Sequence, residues 1–273
     1  MALENQHMTC KSFLNLTLLL IFTNVVTAGE VHQPQDIEFV ADIDGTKQRY
    51  VMIAPVTTQK KPVDILIALH GHGSDRWQFI KLGRGEPLAA RDIAKKYGMV
   101  YISPDYRAKT SWMGPKAEAD VVQIIAELKK KFSVRRVYIC GASMGGSSCL
   151  TFAALHPELI DGVASMNGTV NHLEYERFQD AIAKSFGGTK SEIPEEYKKR
   201  SAEYWPERLT MPIGATTGGK DASVPPQSVT RLAIVLNHLN RPVMHLHREK
   251  GGHSTTYDDA IQILEFMIKE SQK

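Results

Sequence analysis

The chain has 273 residues, 42% apolar and 23% charged, with 33 basic against 30 acidic side chains. This is globular composition, long enough to bury a sizeable core in one α/β domain. The formal net charge of +3 is mild, and no basic run is interleaved with aromatics, so nucleic acid is not an expected partner.

The N-terminus departs from that average. Residues 13–26 are mostly apolar, Lys11 precedes them, and Val26-Thr27-Ala28 supplies the residue sizes a signal peptidase reads. The pattern predicts a signal peptide over residues 1–28 and a mature domain over 29–273 that is secreted or periplasmic. The apolar stretch is short for a membrane span, and Asn15, Thr17 and Asn24 interrupt it. No stable span is therefore expected after cleavage. Glu4 fits a basic leader poorly, which makes Met8 a better start than Met1. Cys10 leaves with such a leader. Cys140 and Cys149 stay, and are expected as buried free thiols.

Strand-like and helix-like runs then alternate. Residues 37–40 and 49–53 read as an antiparallel pair about the turn at Asp44-Gly45. Residues 64–70 form a short apolar run between Pro62 and Gly71, as a buried strand does. A helix over 88–97 stops at Gly98, and a strand over 99–103 stops at Pro104. Val121, Val122, Ile124, Ile125 and Leu128 recur at helical spacing within 116–132. That helix ends in Lys129-Lys130-Lys131, where cations suit the dipole. A strand over 134–140 leads into a helix over 144–155. Further strands are predicted at 162–166, 212–216 and 243–247, with helices at 227–239 and 257–269.

This alternation predicts an α/β fold with a mostly parallel central sheet and helices on both faces. Right-handed crossovers place the strands' C-terminal ends on one edge, where ligands bind. Residues 167–209 break the rhythm. They are charged and aromatic, with Tyr175, Phe178, Phe186, Tyr197, Tyr204 and Trp205, and are expected to form a small helical cap over that edge.

The chemistry starts at Gly141-Ala142-Ser143-Met144-Gly145, between a strand and a helix. The glycines permit a crowded turn that exposes the Ser143 hydroxyl at a helix N-terminus. Ser143 is the expected nucleophile, and the Met144 amide an oxyanion donor. A serine needs a base, and the base an orienting acid. Asp221, in the loop after the strand at 212–216, is the expected acid. His253, flanked by Gly251 and Gly252 before the last helix, is the expected base. His70-Gly71-His72-Gly73 follows an earlier strand, and the His72 amide is the expected second oxyanion donor. His70 and His72 have no evident third ligand nearby, so no metal is expected, and the chemistry calls for no cofactor. Trp112 is expected to line the substrate pocket.

In this order, His70–Gly73, Gly141–Gly145, Asp221 and His253 resemble the α/β-hydrolase superfamily across nearly the whole mature chain. Ser143-Met144-Gly145-Gly146, and Gly219-Lys220-Asp221 followed by Val224-Pro225, are most similar to two branches. One holds the secreted feruloyl, acetyl-xylan and polyhydroxybutyrate-depolymerase type esterases. The other is the catalytic domain of prolyl-oligopeptidase-like enzymes, which Ser201-Ala202-Glu203-Tyr204-Trp205 also resembles. The large propeller of prolyl oligopeptidases has no counterpart here, which favours the esterase. The resemblance implies hydrolysis of carboxylic esters, of an acylated plant polysaccharide or a small ester, through an acyl-enzyme. A small serine peptidase is the alternative, and a non-catalytic binding protein on the same fold a weaker one.

Overall fold

The computed structural model describes residues 33–56 and 61–273. The leader over 1–28, with Cys10, lies outside them. Among the described residues no helix is long and apolar enough to cross a membrane.

An eight-stranded sheet runs in the order β1-β2-β4-β3-β5-β6-β7-β8. β1 (Gln35–Val40) pairs antiparallel with β2 (Lys47–Ile53), and β2 pairs antiparallel with β4 (Val100–Pro104). All remaining pairs are parallel: β4 with β3 (Val63–Leu69), β3 with β5 (Val134–Ala142), then β6 (Gly162–Met166), β7 (Ile213–Gly218) and β8 (Val243–Arg248). The expected α/β fold is what the chain adopts.

β3 shows why the sheet is covered on both faces. Every residue in it is buried, and successive side chains point to opposite sides. Ile65, Ile67 and Leu69 enter a core with Val121 and Ile124 of α3 (Pro115–Lys131), Leu150 of α4 (Met144–Leu155) and Leu232 of α7 (Gln227–His238). Leu66 and Ala68 enter a second core with Phe79 of α1 (Gln78–Lys81), Ile93 of α2 (Gly85–Lys96), and Ile263 and Met267 of α8 (Tyr257–Glu270). Each large aliphatic side chain buried this way stabilises the fold by roughly 2 kcal/mol.

Many boundaries shift by one to three residues from the pattern's reading, and two of the shifts have a direct physical reason. α2 begins at Gly85, before Pro87, because proline is tolerated in a helix's first turn, where its missing N–H has no partner to lose. β5 continues to Ala142 because Gly141 and Ala142 still pair with Ser165 and Met166 of β6. Cys140 and Cys149 are free and buried, as expected.

Between β6 and β7 the chain forms α5 (Gln179–Phe186), α6 (Pro194–Lys199) and short 3-10 turns at Ala202–Tyr204 and Pro206–Arg208. Arg200 fastens this insertion to the body. Its side chain is 1% exposed and donates to Glu196 of α6 (2.6 Å), Glu118 of α3 (2.7 Å) and the Met113 carbonyl (2.7 Å). The Thr151 hydroxyl of α4 donates to the Arg200 carbonyl at 2.8 Å.

Candidate active site

Ser143 sits between the last residue of β5 and the first of α4, with φ 57° and ψ −120°. Left-handed backbone at a non-glycine residue is strained by roughly 1–3 kcal/mol. Close packing enforces it. A Cβ at Gly141 would lie 2.4 Å from the Gly145 carbonyl carbon, and a Cβ at Gly145 would lie 2.0 Å from the Leu69 carbonyl oxygen. Only glycine lets β5, α4 and the end of β3 meet this closely. The Ser143 amide donates to the Met166 carbonyl at 2.8 Å, which ties the turn to β6.

The structure brings Ser143, His253 and Asp221 together. Ser143 Oγ and His253 Nε2 are 2.8 Å apart, and His253 Nδ1 and Asp221 Oδ2 are 2.6 Å apart. The Asp221 carboxylate is fully buried, whereas the His253 side chain is 31% exposed. Asp221 Oδ1 accepts the amides of Ser223 and Val224, each at 2.9 Å. These bonds fix the carboxylate and leave Oδ2 for the imidazole. A carboxylate only accepts, so His253 Nδ1 carries the proton, and Nε2 offers its lone pair to the Ser143 hydroxyl. Ser147 and Ser148 are buried inside α4.

The loop after β3 lies against this turn. The Gly71 amide donates to Gln78 Oε1 (2.7 Å) and the Gly73 amide to the Lys109 carbonyl (2.6 Å). Among the described residues the amides of His72 and Met144 have no acceptor. Backbone N–H groups without an acceptor are the kind of donor an oxyanion hole uses. His70 is buried, with its ring nitrogens against the Gly71 and Asp105 carbonyls, so it serves the loop's shape.

Trp112 requires a correction. It is not a pocket-lining residue: its side chain is completely buried. Its indole Nε1 reaches His72 Nδ1 at 3.2 Å. The indole only donates, so His72 Nδ1 accepts and the ring is neutral. Burial pushes the His72 pKa down, in the same sense. Phe178, 41% exposed, covers both, its ring centroid 4.4 Å from His72 and 5.6 Å from Trp112. The aromatic that faces solvent is thus Phe178, and Trp112 is its support. Phe178 also has positive φ, 55°.

Several residues that sequence reasoning passed over surround the site. Asn167, directly after β6, is buried and contacts Asp221, Gly252 and Thr255. Glu86 of α2 accepts the Thr255 amide at 2.7 Å and anchors the His253 loop from the other side. A polar residue directly after a central strand, on the ligand-binding edge, was the available signal for Asn167. Glu86 left none, because its partner is remote in sequence.

A groove of about 950 Å3, lined by Glu118, His156, Ile193 and Arg200 among others, contains none of the three residues Ser143, His253 and Asp221. A smaller one of about 370 Å3 includes Tyr175 and Arg177 of the insertion, and Ala222 and Pro225 of the acid loop.

The fold and the strand-end site define an α/β-hydrolase. Residues 64–244 match the family described as the alpha/beta hydrolase fold, and the chain belongs to it. No curated protein matches the sequence. Solved structures share the fold at low identity. An S-formylglutathione hydrolase from Agrobacterium tumefaciens is 14% identical with TM-score 0.67, over 88% of this chain and 98% of its own. A puromycin hydrolase is 16% identical with TM-score 0.70, over 88% of this chain and 39% of its own. The Pyrococcus horikoshii acylaminoacyl peptidase is 17% identical with TM-score 0.66, over 89% and 42%. The chain therefore spans about two fifths of the latter two proteins.

Proposed function

We propose that the protein is a serine hydrolase that cleaves carboxylic esters through a Ser143–His253–Asp221 triad. The observation that carries this reading is the unbroken chain from Ser143 Oγ to His253 Nε2 (2.8 Å) and from His253 Nδ1 to Asp221 Oδ2 (2.6 Å). Ser143 attacks the ester carbonyl as His253 takes its proton. Asp221 holds the tautomer and stabilises the imidazolium. The amides of His72 and Met144 receive the oxyanion. His253 returns the proton to the leaving alcohol, and water then releases the acid by the same route in reverse.

The ester substrate is read from the sequence resemblance to secreted esterases, with an acylated plant polysaccharide or a small ester as the molecule cleaved. Phe178 and the cavity beside Ala222 are the surfaces that would sort acyl and alcohol groups. Export rests on the apolar leader, and the N-terminal sequence of protein recovered from the medium should begin at Gly29. The mature chain is read as one domain with a cap over 167–209.

The test is a substrate panel with a covalent probe. Wild-type protein should take a fluorophosphonate label and turn over p-nitrophenyl butyrate faster than peptide anilides, and Ser143→Ala should do neither. Faster anilide cleavage selects the peptidase alternative. An unlabelled wild type defeats the triad reading.

A further inference from the structure

We infer that Asn167 is a positioning residue that locks the acid and the base of the triad to each other, an inference that rests on the triad reading above. Asp221 and His253 come from separate loops, after β7 and after β8. Their 2.6 Å contact needs something to hold the loops in register. Asn167 lies between them, on the turn that ends β6, with its own amide donating to the Thr216 carbonyl of β7 at 3.0 Å.

The carboxamide faces a different kind of group on each side. Nδ2 lies 3.4 Å from Asp221 Oδ2 and 3.4 Å from the Gly252 carbonyl, both acceptors only. Oδ1 accepts the Thr255 hydroxyl and lies 3.5 Å from the Thr216 hydroxyl, which is itself 2.6 Å from that of Thr255. Donors meet acceptors on both sides, so the amide orientation is determined. Asp221 Oδ2 is the same oxygen that holds His253 Nδ1. Gly252 and Thr255 flank His253 on either side. One side chain thus touches the acid and both shoulders of the base.

The residue type follows from these demands. An aspartate here would set a carboxylate against Asp221 and the Gly252 carbonyl. The backbone is left-handed, φ 51°, which asparagine tolerates better than most side chains. The side chain is 4% exposed, and an amide buried with its donors and acceptors matched makes a rigid junction. A small misplacement of the base lowers turnover without touching substrate binding.

The experiment compares Asn167→Gly, which keeps the backbone conformation, Thr255→Val, which breaks the same junction from the histidine side, and Thr255→Ser, which restores the hydroxyl. Turnover of p-nitrophenyl butyrate is read together with the low-field proton resonance of His253 Nδ1–H. We expect Asn167→Gly and Thr255→Val to lower kcat roughly 10- to 100-fold at unchanged KM and to broaden the resonance. Thr255→Ser should recover both. If Asn167→Gly fails to fold, Thr255→Val decides alone. Retained kcat and a sharp resonance in the folded variants overturn the proposal. The resonance needs no turnover. If wild-type protein hydrolyses no ester, the triad reading fails separately, and a resonance untouched by both variants still overturns this one.

Discussion

Replacing Asp221 by asparagine changes one atom and should reverse the polarity of the whole triad. Asp221 Oδ1 holds two backbone amides at 2.9 Å. An NH2 group there would lose both bonds and set donor against donor. The variant's carbonyl oxygen therefore stays at the Oδ1 position, and its NH2 takes the place of Oδ2, facing His253 Nδ1. His253 must then accept at Nδ1 and carry its proton on Nε2, towards Ser143 Oγ. A nitrogen that already bears a proton cannot take another from serine. The same tautomer trap in a serine protease lowers kcat on the order of 10⁴-fold, about 5 kcal/mol of transition-state stabilisation. Both backbone bonds survive and only the long 3.4 Å contact from Asn167 Nδ2 is lost, so the melting temperature should stay within a few degrees. The assay is kcat for p-nitrophenyl butyrate at pH 8, with a melting curve on the same sample. A loss under about tenfold in a folded variant would refute the assigned tautomer and the role of Asp221 with it.

Three further outcomes follow from packing and burial. Gly145→Ala places a Cβ 2.0 Å from the Leu69 carbonyl oxygen. It should destabilise the fold by at least ~3 kcal/mol or prevent folding, and an undiminished melting temperature would contradict the close approach at the turn. His172 is buried, and burial with the nearby Arg200 charge lowers its pKa from 6.5 to about 3. The unfolded chain takes up a proton that the folded chain refuses, so stability is full above pH 6.5 and falls between pH 6.5 and 3. Urea unfolding at pH 7.5 and 5.5 should show His172→Leu escaping about 1 kcal/mol of the wild-type decline. Burial would raise the Glu118 pKa, but the hydrogen bond from His156 and the charge of Arg200 outweigh it and hold the group at about 2. That contribution is present above pH 4.5 and is lost as pH falls towards 2. Glu118→Gln should flatten this limb by on the order of 3 kcal/mol.

Legibility in the sequence tracked locality. β3 and α3 were readable because burial on two faces writes a continuous apolar run, and burial on one face writes a helical period. Ser143 was readable because its strain needs glycines close by in the chain. Asp221 and His253 could be singled out because each follows a strand on the ligand edge, and the structure sets them in contact. Glu86 and Phe178 depend on partners distant in sequence, and such contacts leave no spacing to read, whereas Asn167 carried only the weak signal of a polar residue after a central strand. Trp112 shows the opposite error. A large aromatic in a loop near the site suggested a wall for ligand, but its indole is buried beneath Phe178 and His72. The sequence carried the size of the side chain without its depth.

The Arg200 junction gives the insertion a kinetic character. Swinging α5 and α6 away from the body would strip a buried guanidinium from Glu118 and the Met113 carbonyl. Breaking a buried ion pair costs about 3–5 kcal/mol, which holds the displaced arrangement to a population under about 1%. On the proposed function, the insertion would then act as a fixed wall beside the site. Under the proposed ester hydrolysis, Phe178 would sort substrates as part of that wall. Kinetics of this kind show no lag at an oil–water interface and no opening step shared by all substrates. Rates should differ between esters through fit alone.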